Sequence, residues 1–221
     1  MVTRLDWRNA YRIIPSVYPP VGIFDEVADP DDLEAVIALE SATNPRILTQ
    51  AGELALVRRE ERISGEGTTP IMAAFTHTKA SRFSDGTYGV YYAAHDEDTA
   101  IAETAYHRLR FITDAGLRSE IMHMRVYDAR VHGEFDDVRK KGPRSKLYDP
   151  DDLSYSQRYA RRLFDENRVD GIAFRSVRRP QGECVAVFRP RCVTDCKVLR
   201  HLQYRFEDGR FLGAAEIRAI V

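Results

Sequence analysis

The last third of the chain is crowded with short apolar runs: "GIAFRS" from Gly171, "ECVAVFRPR" from Glu183, "CKVLRHLQYRFE" from Cys196 and "RFLG" from Arg210. Their content suits strands, and Asp208-Gly209 between the last two is a pair that favours a tight antiparallel hairpin. Helical patterns sit in the earlier part of the chain and do not alternate regularly with these runs. That order argues against a doubly wound parallel sheet. It predicts an α+β fold of mainly antiparallel sheets with flanking helices. Neither G-x-G-x-x-G nor G-x-x-x-x-G-K occurs, so no glycine-rich phosphate loop is expected.

Tyr11 to Ile14 reads as a short strand, followed by an irregular segment rich in proline and aromatics. "DPDDLEAVIALESATNPR" carries a helix capped by Asp31 or Asp32, with Leu33, Val36 and Ile37 marking its faces, ended by Asn44-Pro45. "GELALVRREERISGEGTTP" fits a strand or a short helix and then a loop, Gly65 to Pro70. "IMAAFTH", Ile71 to His77, reads as a buried strand. "YGVYYAA" is a strand, and "HDEDTAIAETAYHRLRFITDAG" is a helix with acids in its first turn and Gly116 beyond its end. "EIMHMRVYDARV" is a strand with Met122, Met124 and Val126 on one face. "GEFDDVRKKGPRSKLYDPDD" reads as a polar loop. "SYSQRYARRLFDENRVDG" is a second helix, capped by Ser154 or Asp152, with Tyr159, Ala160, Leu163 and Phe164 inward. No repeat divides the chain, so a single domain over residues 1–221 is expected.

The 221 residues, 43% of them hydrophobic, are enough to bury a core without metals or disulfides. A net charge of −1 gives no general surface for nucleic acid or membrane, and no apolar run is long enough to span a bilayer. "MVTRLDWRNAYRII" lacks the apolar core of a secretory leader. Cys184, Cys192 and Cys196 are an odd number at a spacing unlike a zinc site, so buried thiols and a cytoplasmic location are expected. Only five of the 33 basic residues are lysines, which suits planar recognition of phosphate or carboxylate or simply reflects base composition. No G-x-S-x-G or H-E-x-x-H pattern supports a serine hydrolase or a metallopeptidase.

Some residues invite two readings. Glu103, early in its helix, is either a solvated surface glutamate or a carboxylate brought back along the strand "VYYAA". Arg82 precedes the turn "SDG" and either pairs with a surface acid or is aimed into a cleft. Tyr91 and Tyr92 point to opposite faces, so one belongs to the core and the other can offer its ring to a ligand. Ser176, followed by Arg178 and Arg179, is either a turn-favouring serine or, with free loop amides, part of a phosphate site.

Together, "SRFSDGTYGVYYAAHDEDTAIAE" and "DGIAFRSVRRPQGECVAVF" resemble the RES domain family. The matching residues are Arg82-Phe83, Gly86, Tyr92-Ala93-Ala94, Thr99-Ala100 with Glu103, Asp170-Gly171-Ile172, and Ser176. Upstream, Tyr11-Arg12-Ile13 resembles the family's first arginine-bearing strand. The resemblance implies a toxin of a bacterial toxin–antitoxin pair, with a fold similar to ADP-ribosyltransferase toxins. Such proteins break the nicotinamide–ribose bond of NAD, and at least one branch transfers ADP-ribose to a protein. It also implies a cognate antitoxin as partner, a possible protein acceptor, and no metal. By this resemblance Glu103 stabilises the positive ribose centre, Tyr92 stacks on nicotinamide, Arg82 and Arg12 hold the pyrophosphate or ribose, and Ser176 adds a hydrogen bond. Hydrolysis or phosphorolysis of NAD without a protein acceptor is one alternative. A non-catalytic module that binds a nucleotide or an antitoxin is another. The family often carries an Asn after the serine, where this chain has Glu183. It is also longer than compact members, with insertions expected near residues 15–70 and 133–153.

Overall fold

The strand runs come together in one seven-stranded sheet. The computed structural model describes residues 1–19 and 21–218. Its elements in chain order are β1 (Val2–Pro15), α1 (Ile23–Glu26), α2 (Leu33–Thr43), α3 (Arg46–Ala51), α4 (Thr69–Thr76), β2 (Tyr91–Ala94), α5 (Glu97–Asp114), β3 (Ser119–Asp137), α6 (Ser154–Glu166), β4 (Gly171–Arg175), β5 (Glu183–Val187), β6 (Val193–Glu207) and β7 (Arg210–Ile217). The strand order is β1-β2-β5-β4-β3-β6-β7, with a further pairing of β1 to β3. Only β3–β4 is parallel, so the expected α+β class with a mainly antiparallel sheet is found.

The length of β3 organises this sheet. One of its edges takes β1, while the other takes β6 as far as Val131 and then β4 from Phe135. The pairings β1–β2, β2–β5, β5–β4, β4–β3 and β3–β1 therefore close a circuit, and β6 and β7 extend from it.

Alternation along the strands divides the core in two. Trp7, Ala10, Tyr91, Ala93, Phe135, Val185 and Val187 face one way and pack against Phe24, Leu33, Ile71, Met72 and Phe75 of α1, α2 and α4. Ile13, Ala94, Ile172, Phe174, Cys184 and Ala186 face the other way, against Ala100, Ala105 and Ile112 of α5, Ala160 of α6, and Leu147 and Tyr148. The segment near 15–70 thus covers one face, and α5, α6 and the 138–149 segment cover the opposite one.

Local signals explain the ends of α5. The Asp96 side chain accepts the Thr99 amide at 2.9 Å and caps the first turn. At the other end, the Gly116 amide reaches the Thr113 carbonyl and the Leu117 amide reaches Ile112, with Gly116 at φ +70°. This is the glycine-terminated helix end that relieves two orphan carbonyls. The Asp208-Gly209 pair turns β6 into β7 with both residues at positive φ, as its sequence predicts. All three cysteines are buried free thiols.

Five expectations are corrected. Ile71 to Thr76 of "IMAAFTH" lie in the helix α4, which Thr69-Pro70 begins and His77 caps. A short run apolar on every side has no periodicity to separate a buried strand from a buried helix, and α4 is packed between the sheet and α1. Gly133 to Asp137 are not loop but the end of β3, because Val2 to Leu5 of β1 supply a partner. For the same reason the first strand is much longer than Tyr11 to Ile14. Leu33 opens its helix without a side-chain cap from Asp31 or Asp32, and Ser154 begins α6 after an uncapped Leu153.

Gly89 shows how closely the approach to β2 packs. A Cβ there would lie 2.6 Å from the carbonyl oxygens of both Ala74 and Phe75 in α4. Gly89→Ala should push the strand from the helix and cost about 2–3 kcal/mol as overpacking. A urea midpoint unchanged from wild type would refute this contact.

Candidate functional site

The loop that carries Arg82 is held from several sides. The Tyr92 hydroxyl accepts the Phe83 amide at 2.9 Å and shares a hydrogen bond with Ser81 Oγ at 2.9 Å. Gln157 of α6 donates to the carbonyls of Ser81 and Ser84, and the Tyr88 hydroxyl donates to the Phe83 carbonyl at 2.8 Å. Tyr92 therefore positions the arginine loop through its hydroxyl while its ring stays half-buried. Enclosure of that hydroxyl, partly offset by these bonds, pushes its pKa up to about 12. Tyr91 is fully buried on the opposite face, the core residue expected of the pair.

Among the described residues Arg82 makes no ion pair. Its Nη1 donates to the carbonyls of Leu147 at 2.9 Å and Asp149 at 3.0 Å, fastening the 3-10 turn Lys146–Tyr148 beside the loop. Burial is the larger influence on its pKa and lowers it, Glu103 opposes this, and Arg178 reinforces it.

Glu103 is not a solvated helical glutamate. Its Oε1 accepts the Ser176 hydroxyl at 2.6 Å and the Val177 amide at 3.2 Å. Its Oε2 accepts no hydrogen bond among the described residues and is not among the buried polar atoms lacking a partner, so it reaches solvent. Ser176 Oγ in turn accepts the amides of Arg178 at 3.1 Å and Arg179 at 2.9 Å. Arg179 reaches Asp96 at 2.6 Å and Asp98 at 3.1 Å. A Cβ on Gly182 would meet Thr99 Oγ1 at 2.7 Å, so only glycine lets the loop lie this close to α5.

The loop amides are thus not free for phosphate, as Ser176 and its arginines had suggested. The amides of Val177, Arg178 and Arg179 are occupied by Glu103 and Ser176.

Tyr92 is tied to the Arg82 loop through Ser81 and Phe83, and Glu103 is tied to Ser176, both on the face covered by α5 and α6, whereas Arg12 lies on the other face. Arg12 pairs with Tyr127 in register and lies over the Tyr91 ring, 4.7 Å from its centroid, on the face covered by α1 to α4. It touches β2 through one bond, from Nη1 to the Tyr92 carbonyl at 3.2 Å, and its Nε is buried without a partner. Glu183, where the family often has Asn, pairs with Arg139 at 2.7 Å.

Sequence reading missed Tyr106 and gave Thr99 no role beyond its place in the motif. Thr99, Glu103 and Tyr106 lie at i, i+4 and i+7, one helix face, and the 176–182 loop runs along it. That spacing was visible, but the loop it meets was not. No group of three or more His, Cys, Asp or Glu among the described residues is placed to hold a metal. A groove of about 520 Å³ lies elsewhere, between α6 and Asp85, and none of the five candidate residues lines it. No helix among the described residues is long and apolar enough to cross a membrane.

A model of the RES domain matches residues 59–207 of this chain. A protein of Sinorhizobium fredii (strain NBRC 101917 / NGR234), described as the uncharacterized protein y4oC, is 29% identical over 181 residues. That alignment covers 81% of this chain and 74% of the relative.

Tyr92→Phe tests the role given to the hydroxyl. It leaves the buried Phe83 amide without its acceptor and should cost about 1–3 kcal/mol. The folded-state pKa, about 12, is above the ordinary value of 10.0. The neutral form's contribution is therefore full below pH 10.0 and is lost as pH rises through about 12. Urea midpoints on either side of this window should fall more for wild type than for the variant, and equal falls would refute the assignment.

Proposed function

Because the chain belongs to the RES domain family, we propose that it cleaves the nicotinamide–ribose bond of NAD at the cluster of Glu103, Arg82, Tyr92 and Ser176. RES domains are associated with NAD-consuming toxins of toxin–antitoxin pairs. The proposal includes that role, with a cognate antitoxin that plugs the cleft and a cytoplasmic site of action, and it takes ADP-ribose transfer to a protein as the outcome.

The observation that carries it is the Glu103 carboxylate: one oxygen is held by Ser176 and Val177, and the other is open. When the C1–N bond breaks, both electrons leave with nicotinamide, which departs neutral, and positive charge develops on the ribose as in glycoside cleavage. A carboxylate already fixed in place stabilises that charge without reorganising. Its open oxygen is also an acceptor for the neighbouring ribose hydroxyl. Tyr92 offers a half-buried ring to the nicotinamide and orients the loop of Arg82. Arg12 contributes from the other face, by holding the β2 carbonyl of Tyr92. The nucleophile is a protein side chain in transfer and water or phosphate in the second reading.

That second reading, NAD hydrolysis or phosphorolysis without a protein acceptor, gains from one observation. The segment near 15–70 packs on the face opposite Glu103, so only the segment near 133–153 adds surface beside the cluster. A purely binding module is disfavoured, because Glu183 has a structural partner in Arg139 and so no longer speaks for a lost activity.

Labelled NAD incubated with the protein and a bacterial lysate separates the readings. A labelled protein band means transfer, whereas free ADP-ribose or its phosphate alone means the second reading. Glu103→Ala should lower nicotinamide release about 100- to 1,000-fold. Arg82→Ala should lower it by at least about 10-fold. Full activity in both variants would remove the cluster from the chemistry.

A further inference from the structure

Arg178 stands next to the Val177 amide that holds Glu103, yet it has no counter-ion among the described residues. Its guanidinium carbon lies 3.3 Å from the centroid of the Tyr106 ring. Tyr106 is three residues beyond Glu103, so both project from one side of α5, about 4.5 Å apart along its axis. The acids of the neighbourhood are engaged elsewhere. Asp137 and Glu183 serve Arg139, Asp96 and Asp98 serve Arg179, and Asp149 accepts the amides of Asp151 and Asp152. Among the described residues Arg82 likewise bonds only to neutral carbonyls.

Arg178 and Arg82 are thus half-buried cations without a counter-ion among the described residues, and Arg178 follows directly on the amide that holds Glu103. We infer that Arg178, stacked on Tyr106, grips the diphosphate of a dinucleotide substrate beside the contact that the resemblance implies for Arg82, an inference that rests on the NAD reading above. The loop amides that could have cradled a phosphate are occupied, which leaves guanidinium groups as the donors. A planar guanidinium suits this because it presents paired N–H groups to phosphate oxygens. Stacking on an aromatic ring restricts the side chain before ligand arrives, so less freedom is lost on binding. The placement also suits the chemistry of the ligand. In a dinucleotide the diphosphate hangs from the ribose whose C1 would sit at Glu103, so an anion site one helical turn away is within reach. Tyr106 is a positioning residue here and touches the substrate only through Arg178.

The test is competition against nicotinamide release, with ADP-ribose and adenosine as probes. Arg178→Ala should raise the inhibition constant of ADP-ribose about 10- to 30-fold, as loss of a charge-assisted contact does. It should raise the Michaelis constant for NAD much more than it lowers the turnover number, and leave adenosine inhibition within about twofold. Tyr106→Leu should weaken ADP-ribose part of the way, whereas Tyr106→Phe, which keeps the ring, should behave as wild type. Should Arg178→Ala fail to fold, Arg178→Gln and Tyr106→Leu carry the same measurement. ADP-ribose inhibition equal to wild type in these variants overturns the grip and leaves the NAD reading standing. An equal loss for adenosine assigns Arg178 to the base and also overturns it. If wild type neither releases nicotinamide nor binds ADP-ribose, the NAD reading itself falls.

Discussion

A helix-borne glutamate ordinarily projects into water, where its lone pairs are satisfied at no structural cost. Glu103 instead takes the Ser176 hydroxyl and the Val177 amide on one oxygen, across a separation of 73 residues. Much of the local arrangement follows from that contact. With its proton directed at Glu103, the Ser176 hydroxyl turns its lone pairs to the amides of Arg178 and Arg179 and tightens the loop. The tight loop sends the Arg179 side chain to the Asp96 cap of α5 and the Arg178 side chain onto Tyr106. Gly182 then has to lack a Cβ, because Thr99 occupies that space. One charge-assisted bond thereby determines which atoms around the cluster remain available: the second oxygen of Glu103 and the guanidinium groups, not the backbone.

Strand alternation provides the second constraint. Neighbouring tyrosines on β2 must face opposite ways, and the two layers of helices make both faces interior. Tyr91 fills one core, and Arg12 lies over its ring, separated from Glu103 by the sheet itself. Tyr92 faces the other core, and its hydroxyl became a tie for the arginine loop. The same partition shows why the two long segments are not equivalent. The helices between Ile23 and Ala51 are a second layer behind the sheet, whereas the turn Lys146–Tyr148 is bound directly by Arg82.

Signals carried by adjacent residues were legible in the sequence. The acids opening α5, Gly116 beyond it, the Asp208-Gly209 hairpin and the inward face of α6 all depend on neighbours within a few positions, and all are found. The run "IMAAFTH" was misread for the converse reason: with apolar residues on every side, nothing local separates helix from strand. Gly133 to Asp137 looked like loop because their polar composition hides a partner strand more than a hundred residues away in the chain.

For the cluster, the sequence by itself determined the residue types, their spacing along α5 and β2, and through them the family. It could not determine that Arg12 belongs to the opposite face, that the amides after Ser176 are already occupied, or that Arg178 meets Tyr106. Those outcomes depend on strand register and on hydrogen bonds between distant segments. Only the closed circuit of strands, which brings the loop after β4 against the flank of α5, decides where such segments meet.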